Sequence, residues 1–568
     1  MLKKLKNNKV ARLLLGALTA FLVTFIFYYV ALPPINGHSK EFWSFLAMVF
    51  AVYALCLGAF NIHISKSGIT FGGESKTYVV GSRPSGKSGL FSFIKSTWAA
   101  RIGVILILIP IVIMIFGGIF SSTVFNAQKY ANVITVNEED FKTDMPEVKE
   151  IKNIALLDTE SAKTLGTKEL GSLSDVISQF VVSDEYTQIN FQNQPMKVAN
   201  LEYDGFFKWL NNKNEGIPGY IMVDAVAFKA KYHELDENMR YAESAYFGKD
   251  LMRALRFAYP TKIFDNVSFE VDENGKVFYV VSCATAKVGL FGAMDISEVI
   301  LFDPVNGSSE IMSVENVPSW IDIVYDGYLA CDKYNWKGLY AGGFFNSIIG
   351  QKGCKQTTDD FGYLMLNDDV WYFTGVTSVT ADESNIGFIL SCARTGEYKF
   401  YSVIGADENS AMGAAEGEVQ EKEYVASFPA LVNIAGEPTY ITVLKDANRL
   451  VKLYALINVE QYNIVATGET QTDTINAYLK LLSQNGVDVS GSQISETVTV
   501  KIKDIKFLTL SGSDYAYITA EDGKVYRVEF NEENEALVLL TVGDSVKLVA
   551  SLDEKTGIYS VSEFAPAE

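Results

Sequence analysis

Three uninterrupted apolar runs open the chain: Leu13–Leu32 with 20 residues, Phe42–Phe60 with 19 and Ile102–Phe120 with 19. None of them contains Asp, Glu, Lys or Arg. A helix rises about 1.5 Å per residue, so ~20 apolar residues cross a ~30 Å hydrocarbon layer. The pattern predicts three membrane helices. Tyr28, Tyr29, Trp43 and Trp98 fall near the run ends, where amphipathic rings favour the interface. Anchoring is the expected role, because transport and proton relay ordinarily use an ionisable group inside the membrane.

After Phe120 the pattern changes to short β-rich runs separated by turns. Four stretches read as strand, tight polar turn and second strand: Gly219–Asp224 into Lys229–Glu234, Val299–Asp303 into Glu310–Val314, Gly387–Cys392 into Tyr398–Val403, and Leu453–Asn458 into Tyr462–Thr467. Asn306-Gly307 and Thr395-Gly396 supply the positive φ that a short hairpin needs. Helical patterning is read at Tyr246–Phe257, Trp336–Ile349 and Thr472–Leu482. Helix followed by hairpin predicts repeated α+β units, each with a helix over an antiparallel sheet. The end of the chain reads differently. Val498–Leu508, Tyr515–Thr519, Lys524–Phe530, Ala536–Leu540, Ser545–Ser551 and Gly557–Phe564 are expected to form a small OB-like β-barrel, with Asp522-Gly523 as one of its turns.

Charge adds orientation. Residues 1–120 hold 12 basic and 2 acidic side chains, whereas residues 121–568 hold 36 and 66, a net charge of −30. Lys3, Lys4, Lys6, Lys9 and Arg12 crowd the tail, and Lys66, Lys76, Arg83, Lys87, Lys95 and Arg101 crowd the 61–101 loop. Basic loops stay in the cytoplasm. The expected topology is therefore a multi-pass protein of a bacterial plasma membrane, with a cytoplasmic N-terminus and residues 121–568 extracytoplasmic. An acidic ectodomain excludes nucleic acid as its partner, since phosphates need a basic surface. Membrane lipid, an envelope protein or a second copy of the chain are the expected partners.

Gly81-Ser82-Arg83-Pro84-Ser85-Gly86-Lys87-Ser88 matches a phosphate-binding loop. Its context argues against one. About 40 residues between two membrane helices cannot build the parallel sheet such a loop requires, and the 61–101 loop has no Asp for magnesium. The expected structure is a small basic hairpin followed by an amphipathic stretch around Leu90, Phe91, Phe93 and Ile94 on the inner leaflet.

Candidate chemistry in the ectodomain is sparse. Cys283, Cys331, Cys354 and Cys392 allow three disulfide pairings, and spacing does not choose among them. Cys283 and Cys392 lie in apolar strands and are expected to be buried thiols. His233 is the single histidine of residues 121–568, which leaves nucleophilic catalysis without a base. Asp359-Asp360 and Asp368-Asp369 are the candidate metal ligands, two carboxylate pairs flanking a short strand. Turn formation is the plainer use of Asp there. No catalytic residue and no cofactor are expected. Trp209, Trp320, Trp336 and Trp371 are read as core aromatics.

Asp303-Pro304-Val305-Asn306-Gly307 resembles the hairpin of PepSY-like units, which implies modulation of peptidases or extracytoplasmic docking. Ser244-Ala-Tyr-Phe-Gly248, Phe344-Phe-Asn-Ser-Ile-Ile-Gly-Gln-Lys-Gly353, Tyr372-Phe-Thr-Gly-Val-Thr-Ser378 and Asp382-Glu-Ser-Asn-Ile-Gly387 resemble a family of uncharacterised Gram-positive bacterial membrane-anchored ectodomain proteins. That resemblance implies an anchor and an ectodomain and carries no activity.

The expected architecture is a membrane-anchored α+β protein. Its parts are a three-helix anchor over 1–120 with the cytoplasmic loop 61–101, α+β units over 121–235, 236–330 (PepSY-like) and 331–485, and a small β-barrel over 486–568. The expected function is a non-catalytic scaffold or protein-binding module of the cell envelope. The alternatives are an accessory or regulatory protein of an extracytoplasmic peptidase or cell-wall enzyme and, less favoured, a carboxylate-dependent hydrolase.

Overall fold

The computed structural model describes residues 9–60, 62–65, 68–71, 78–80, 98–148, 154–379, 384–489, 495–510, 513–530, 532–553 and 557–566. The phosphate-loop lookalike 81–88 and the amphipathic stretch 90–94 lie outside them. The apolar runs form helices Lys9–Ala31, Lys40–Phe60 and Trp98–Ser121, and the second touches the other two. Among the described residues two of them, over Leu14–Ala31 and Ile102–Ser121, are long and apolar enough to cross a membrane. Only 11% and 6% of those spans is buried, so neither hides its apolar surface within the protein. Between the second and third helices, Ile62–Ser65, Gly68–Phe71 and Tyr78–Val80 pair as a three-stranded antiparallel sheet.

The rest of the chain is mixed α+β. Sheet one comprises Phe180–Val182, Thr187–Phe191, Gln194–Tyr203, Ile217–Asp224 and Lys229–Met239, all antiparallel. Sheet two is a four-stranded meander of Ile263–Val271, Val277–Val288, Gly292–Phe302 and Ser309–Ser313. Sheet three has seven strands and spans Lys355–Ala406 together with Asn137–Glu139, which pairs in parallel with Tyr398–Tyr401. Sheet four covers Val425–Gly468. The four hairpins read from the sequence are antiparallel pairs in these sheets. Gly307 and Gly396 take φ of +82° and +70° in two of their turns.

The sheets are buried in couples. Leu201, Ile221 and Val223 of sheet one share a core with Phe269, Val281 and Phe302 of sheet two. Phe388 and Tyr401 of sheet three share another with Tyr440 and Leu456 of sheet four. Phe141, Met145, Ile154 and Leu156 belong to this second core, so the chain reaches sheets three and four before it builds sheet one.

A five-strand closed barrel ends the chain: Ser495–Leu510, Ser513–Ala520, Val525–Glu529, Ser545–Asp553 and Ile558–Pro566. The first strand is long enough to pair with both the second and the fourth, and the third and fifth pair in parallel to close the ring. The expected strand Ala536–Leu540 is instead part of a 3-10 helix, Glu532–Leu539. The parallel closure uses the edge it would have needed, and its Leu537 is fully buried in the barrel core.

Two helix boundaries also differ from the sequence reading. The segment 246–257 divides into a 3-10 turn, Phe247–Lys249, and a helix, Leu251–Ala258, because the Asp250 carboxylate accepts from Arg253 N at 2.8 Å and starts a new helix there. The helix expected over 336–349 runs over Gly327–Tyr340. Asp326 caps its start through Tyr328 N and Leu329 N, and Gly343, at φ +88°, ends the path after it. Asn346–Gly350 then forms a single π turn.

The chain beyond Ser121 is clamped to the ends of the apolar helices. Arg253 Nε donates to Tyr29 O at 3.2 Å, and Arg256 Nε donates to Leu32 O at 2.9 Å. These are carbonyls that a helix C-terminus leaves without an internal partner. Ser121 Oγ accepts from Leu290 N and Phe291 N at 2.7 and 3.0 Å. The 288–292 hairpin tip thereby lies against the third helix, where a Cβ on Gly117 would stand 2.6 Å from the Phe291 ring.

Candidate functional site

A cleft opens where three sheets meet. Thr187–Phe191 and Gln194–Tyr203 of sheet one touch Ile263–Val271 of sheet two, and Thr187–Phe191 also touches Asp369–Ser378 of sheet three. The cavity between them measures about 230 Å³. Pockets for drug-sized ligands run ~300–1,000 Å³, so this one suits a single side-chain-sized group.

One wall is acidic. Glu185, Glu202 and Glu243 line it. Glu202 accepts from Ser244 N at 2.8 Å and from Asn200 Nδ2. Asn200 Nδ2 also donates to Tyr279 Oη at 3.1 Å, which fixes the amide between wall and floor. Burial pushes the Glu202 carboxyl up. Burial, reinforced by Glu185, Glu202 and Asp250, pushes Glu243 up to about 7. None of the described residues lining the cavity is Lys, Arg or His, so these carboxylates face one another without a counter-ion.

The other wall is aromatic. Tyr328, Phe361, Tyr372 and Tyr363 follow one another at ring-centroid separations of 5.2, 5.3 and 5.5 Å. Desolvation pushes half-buried Tyr363 up to about 12, and it stays neutral. Gln188 completes the lining. It is 2% exposed; its Nε2 donates to Met196 O at 3.1 Å, while its Oε1 has no hydrogen-bond partner. A buried acceptor without a donor is costly. Carboxylates and ring faces together suit an organic cation.

The residues singled out from the sequence lie elsewhere. Asp359 and Asp360 precede strand Gly362–Leu366 and share a small cavity with Glu408. Asp360 Oδ1 accepts from Phe361 N at 2.8 Å. Asn367 and Asp368, at φ +52° and +65°, form the two-residue turn after that strand. Asp369 is held bidentately by Arg394 at 2.6 and 2.8 Å. A strand rises about 3.3 Å per residue, which puts the two pairs roughly 20 Å apart along it. The structure does not bring them together. Among the described residues no three His, Cys, Asp or Glu side chains gather as a metal site.

All five cysteines are free thiols, with Cys283, Cys354 and Cys392 buried. Trp209 and Trp371 are core residues, and His233 stacks on Tyr220 at 5.2 Å. Sequence reasoning missed Glu185, Glu202, Glu243 and Gln188, which come from separate strands and loops and share no spacing. Ser244, the first residue of the quoted Ser244–Gly248 segment, was the single pointer: its backbone N–H holds Glu202, and its Oγ accepts from Tyr203 N. No protein-family model matches the chain, and a search of curated proteins likewise finds no match.

Proposed function

We propose that this chain is a membrane-anchored extracytoplasmic binding module, and that its three-sheet cleft takes the ammonium or guanidinium end of a basic segment on an envelope protein. In this reading all three N-terminal helices cross the bilayer, the basic tail and the 61–101 loop face the cytoplasm, and residues 121–568 stand outside. The chain then belongs with the Gram-positive membrane-anchored ectodomain proteins it resembles. The barrel is OB-like in its strand order, first-second-third-fifth-fourth, and on an acidic ectodomain it serves protein contacts.

The observation that carries the reading is the meeting of Glu185, Glu202 and Glu243 with a run of aromatic rings in one cavity lined by no described Lys, Arg or His. A long-range field from the −30 ectodomain steers cationic partners, and the aromatic wall selects organic cations. The test is titration of the full chain in lipid nanodiscs with a short lysine-rich peptide. Binding is expected, and the Glu202→Gln, Glu243→Gln double variant is expected to lose it. An unchanged affinity in a double variant of native circular dichroism overturns the cleft as the site. Topology is tested separately: protease added to sealed cells is expected to remove the ectodomain and spare the tail.

A further inference from the structure

Large apolar side chains stand exposed on the ectodomain beside both clamps. On the side of the first helix, Phe257 packs its ring on Tyr28 and Tyr29 at 6.0 and 6.2 Å and remains half-exposed. The neighbouring turn carries Phe247, whose carbonyl accepts from Arg253 Nη1 at 2.7 Å, and its ring meets Trp209 at 5.7 Å. Phe207, on the same short helix as Trp209, is 76% exposed.

On the side of the third helix, the helix Thr123–Ala131 follows almost directly, and the exposed rings Phe116, Phe120 and Phe125 continue from one into the other at 6.3 and 6.2 Å. Gln128 Nε2 donates to Ala341 O at 2.9 Å, which ties this helix to the start of the 341–350 segment. There Phe345 and Ile349 are 74% and 80% exposed. Lys129 and Lys287, with Asp295, line a shallow cavity beside the helix Thr123–Ala131. Such a row of apolar residues is expensive in water, and apolar tips with lysines behind them are how an interfacial segment meets lipid.

We infer that these side chains form a collar that inserts into the outer leaflet, so that the ectodomain rests on the bilayer surface, with Lys129 and Lys287 at the level of the lipid phosphates. The occupant is lipid because the patches continue the exposed faces of helices that themselves run into the bilayer. This rests on the anchoring reading above and is independent of what the cleft binds.

The test is tryptophan quenching in the full chain, reconstituted into bilayers whose acyl chains are brominated just below the headgroups. Phe247→Trp and Ile349→Trp probe the two sides, and Leu539→Trp on the barrel is the control, since Leu539 is 79% exposed. Both collar variants are expected to lose most of the emission they add over the parent, and the control to keep it. Retained emission at both collar positions, with the parent still quenched through Trp43, overturns the collar and leaves the anchor standing. A parent unquenched in the same bilayers overturns the anchor and the collar with it.

Discussion

Glu270 takes the backbone N–H of Asp322 on its carboxylate at 2.8 Å, and both side chains are buried. Ile323 N and Ser268 Oγ complete the Glu270 contacts at 3.2 and 2.8 Å, while the Asp322 carboxylate accepts from Asn190 N at 2.8 Å. The segment 321–325 thus staples sheet two to sheet one, and its Val324 and Tyr325 N–H groups reach Ala393 O beside sheet three. Two acids this close and this dry do not both ionise readily. Burial pushes Glu270 up to about 7, and burial together with Glu270 raises Asp322.

Stability therefore falls as pH rises from mildly acidic to mildly basic. A carboxyl whose pKa is higher folded than unfolded binds protons more tightly in the folded state, so its contribution is lost as pH rises from the unfolded value through the folded one. Glu270, Glu243 and Glu408 at about 7 and Asp265 at about 6 all act in this sense. Asp144, Asp158 and Asp303 are lowered and act oppositely, withdrawing stability only below the ordinary aspartate range. Thermal unfolding is expected at higher temperature near pH 5 than at pH 8, and Glu270→Gln should flatten the slope. A Tm that climbs steadily from pH 5 to 8 contradicts this.

The proposed cation binding in the cleft would have the reverse pH dependence. An arriving ammonium favours ionised Glu243, so binding expels a proton while that carboxyl is part-protonated, and affinity rises between pH 6 and 8. Calorimetry in two buffers of different ionisation enthalpy reads the proton release directly. Glu243→Gln should abolish the release and weaken binding about tenfold, or ~1.4 kcal/mol. Proton uptake on binding is incompatible with the assignment.

Asp369 is committed to Arg394, and Asp368 to a turn. Added calcium is expected to leave the Tm unchanged. Arg394→Ala should cost about 1–2 kcal/mol, allowing for screening of this partly exposed pair, because it strands Asp369 near buried Asp322. Chemical denaturation measures the loss. A calcium-dependent rise in Tm would restore the metal reading.

Gly405 is where sheets three and four touch. Ala406 N donates to Val459 O at 2.9 Å, and a Cβ on Gly405 would fall on that same carbonyl oxygen. Gly405→Ala is expected to destabilise the shared core by about 1–3 kcal/mol through overpacking. Denaturant titration of the variant checks it; an unshifted midpoint would mean the two sheets part easily.

Local rules carried much of the fold. Period-two runs and Gly turns placed the hairpins, because a hairpin is decided by residues adjacent in sequence. Asp522-Gly523 and the alternation around it located the barrel for the same reason. What local pattern missed was decided by distant partners. Leu537 became the plug of a 3-10 helix because two remote strands closed the barrel. Phe141 and Met145 joined a core some 250 residues downstream, through contacts such as Asn433 Nδ2 to Met145 O at 2.9 Å. The cleft was less legible still. Glu202 and Glu243 are neighbours because strands and loops fold them together, and beyond Ser244 nothing near either residue marks it as half of a pair.

On the proposed anchoring, Arg256 gripping Leu32 sets the height at which the residues beyond Ser121 stand over the bilayer. With no slack tether between bilayer and bulk, such a molecule would not sweep the surrounding space for a target. Its reach is its own girth, and capture becomes a search in two dimensions along the membrane plane. A pull on a bound partner would reach the first helix through Arg253 and Arg256 and the third helix through Ser121.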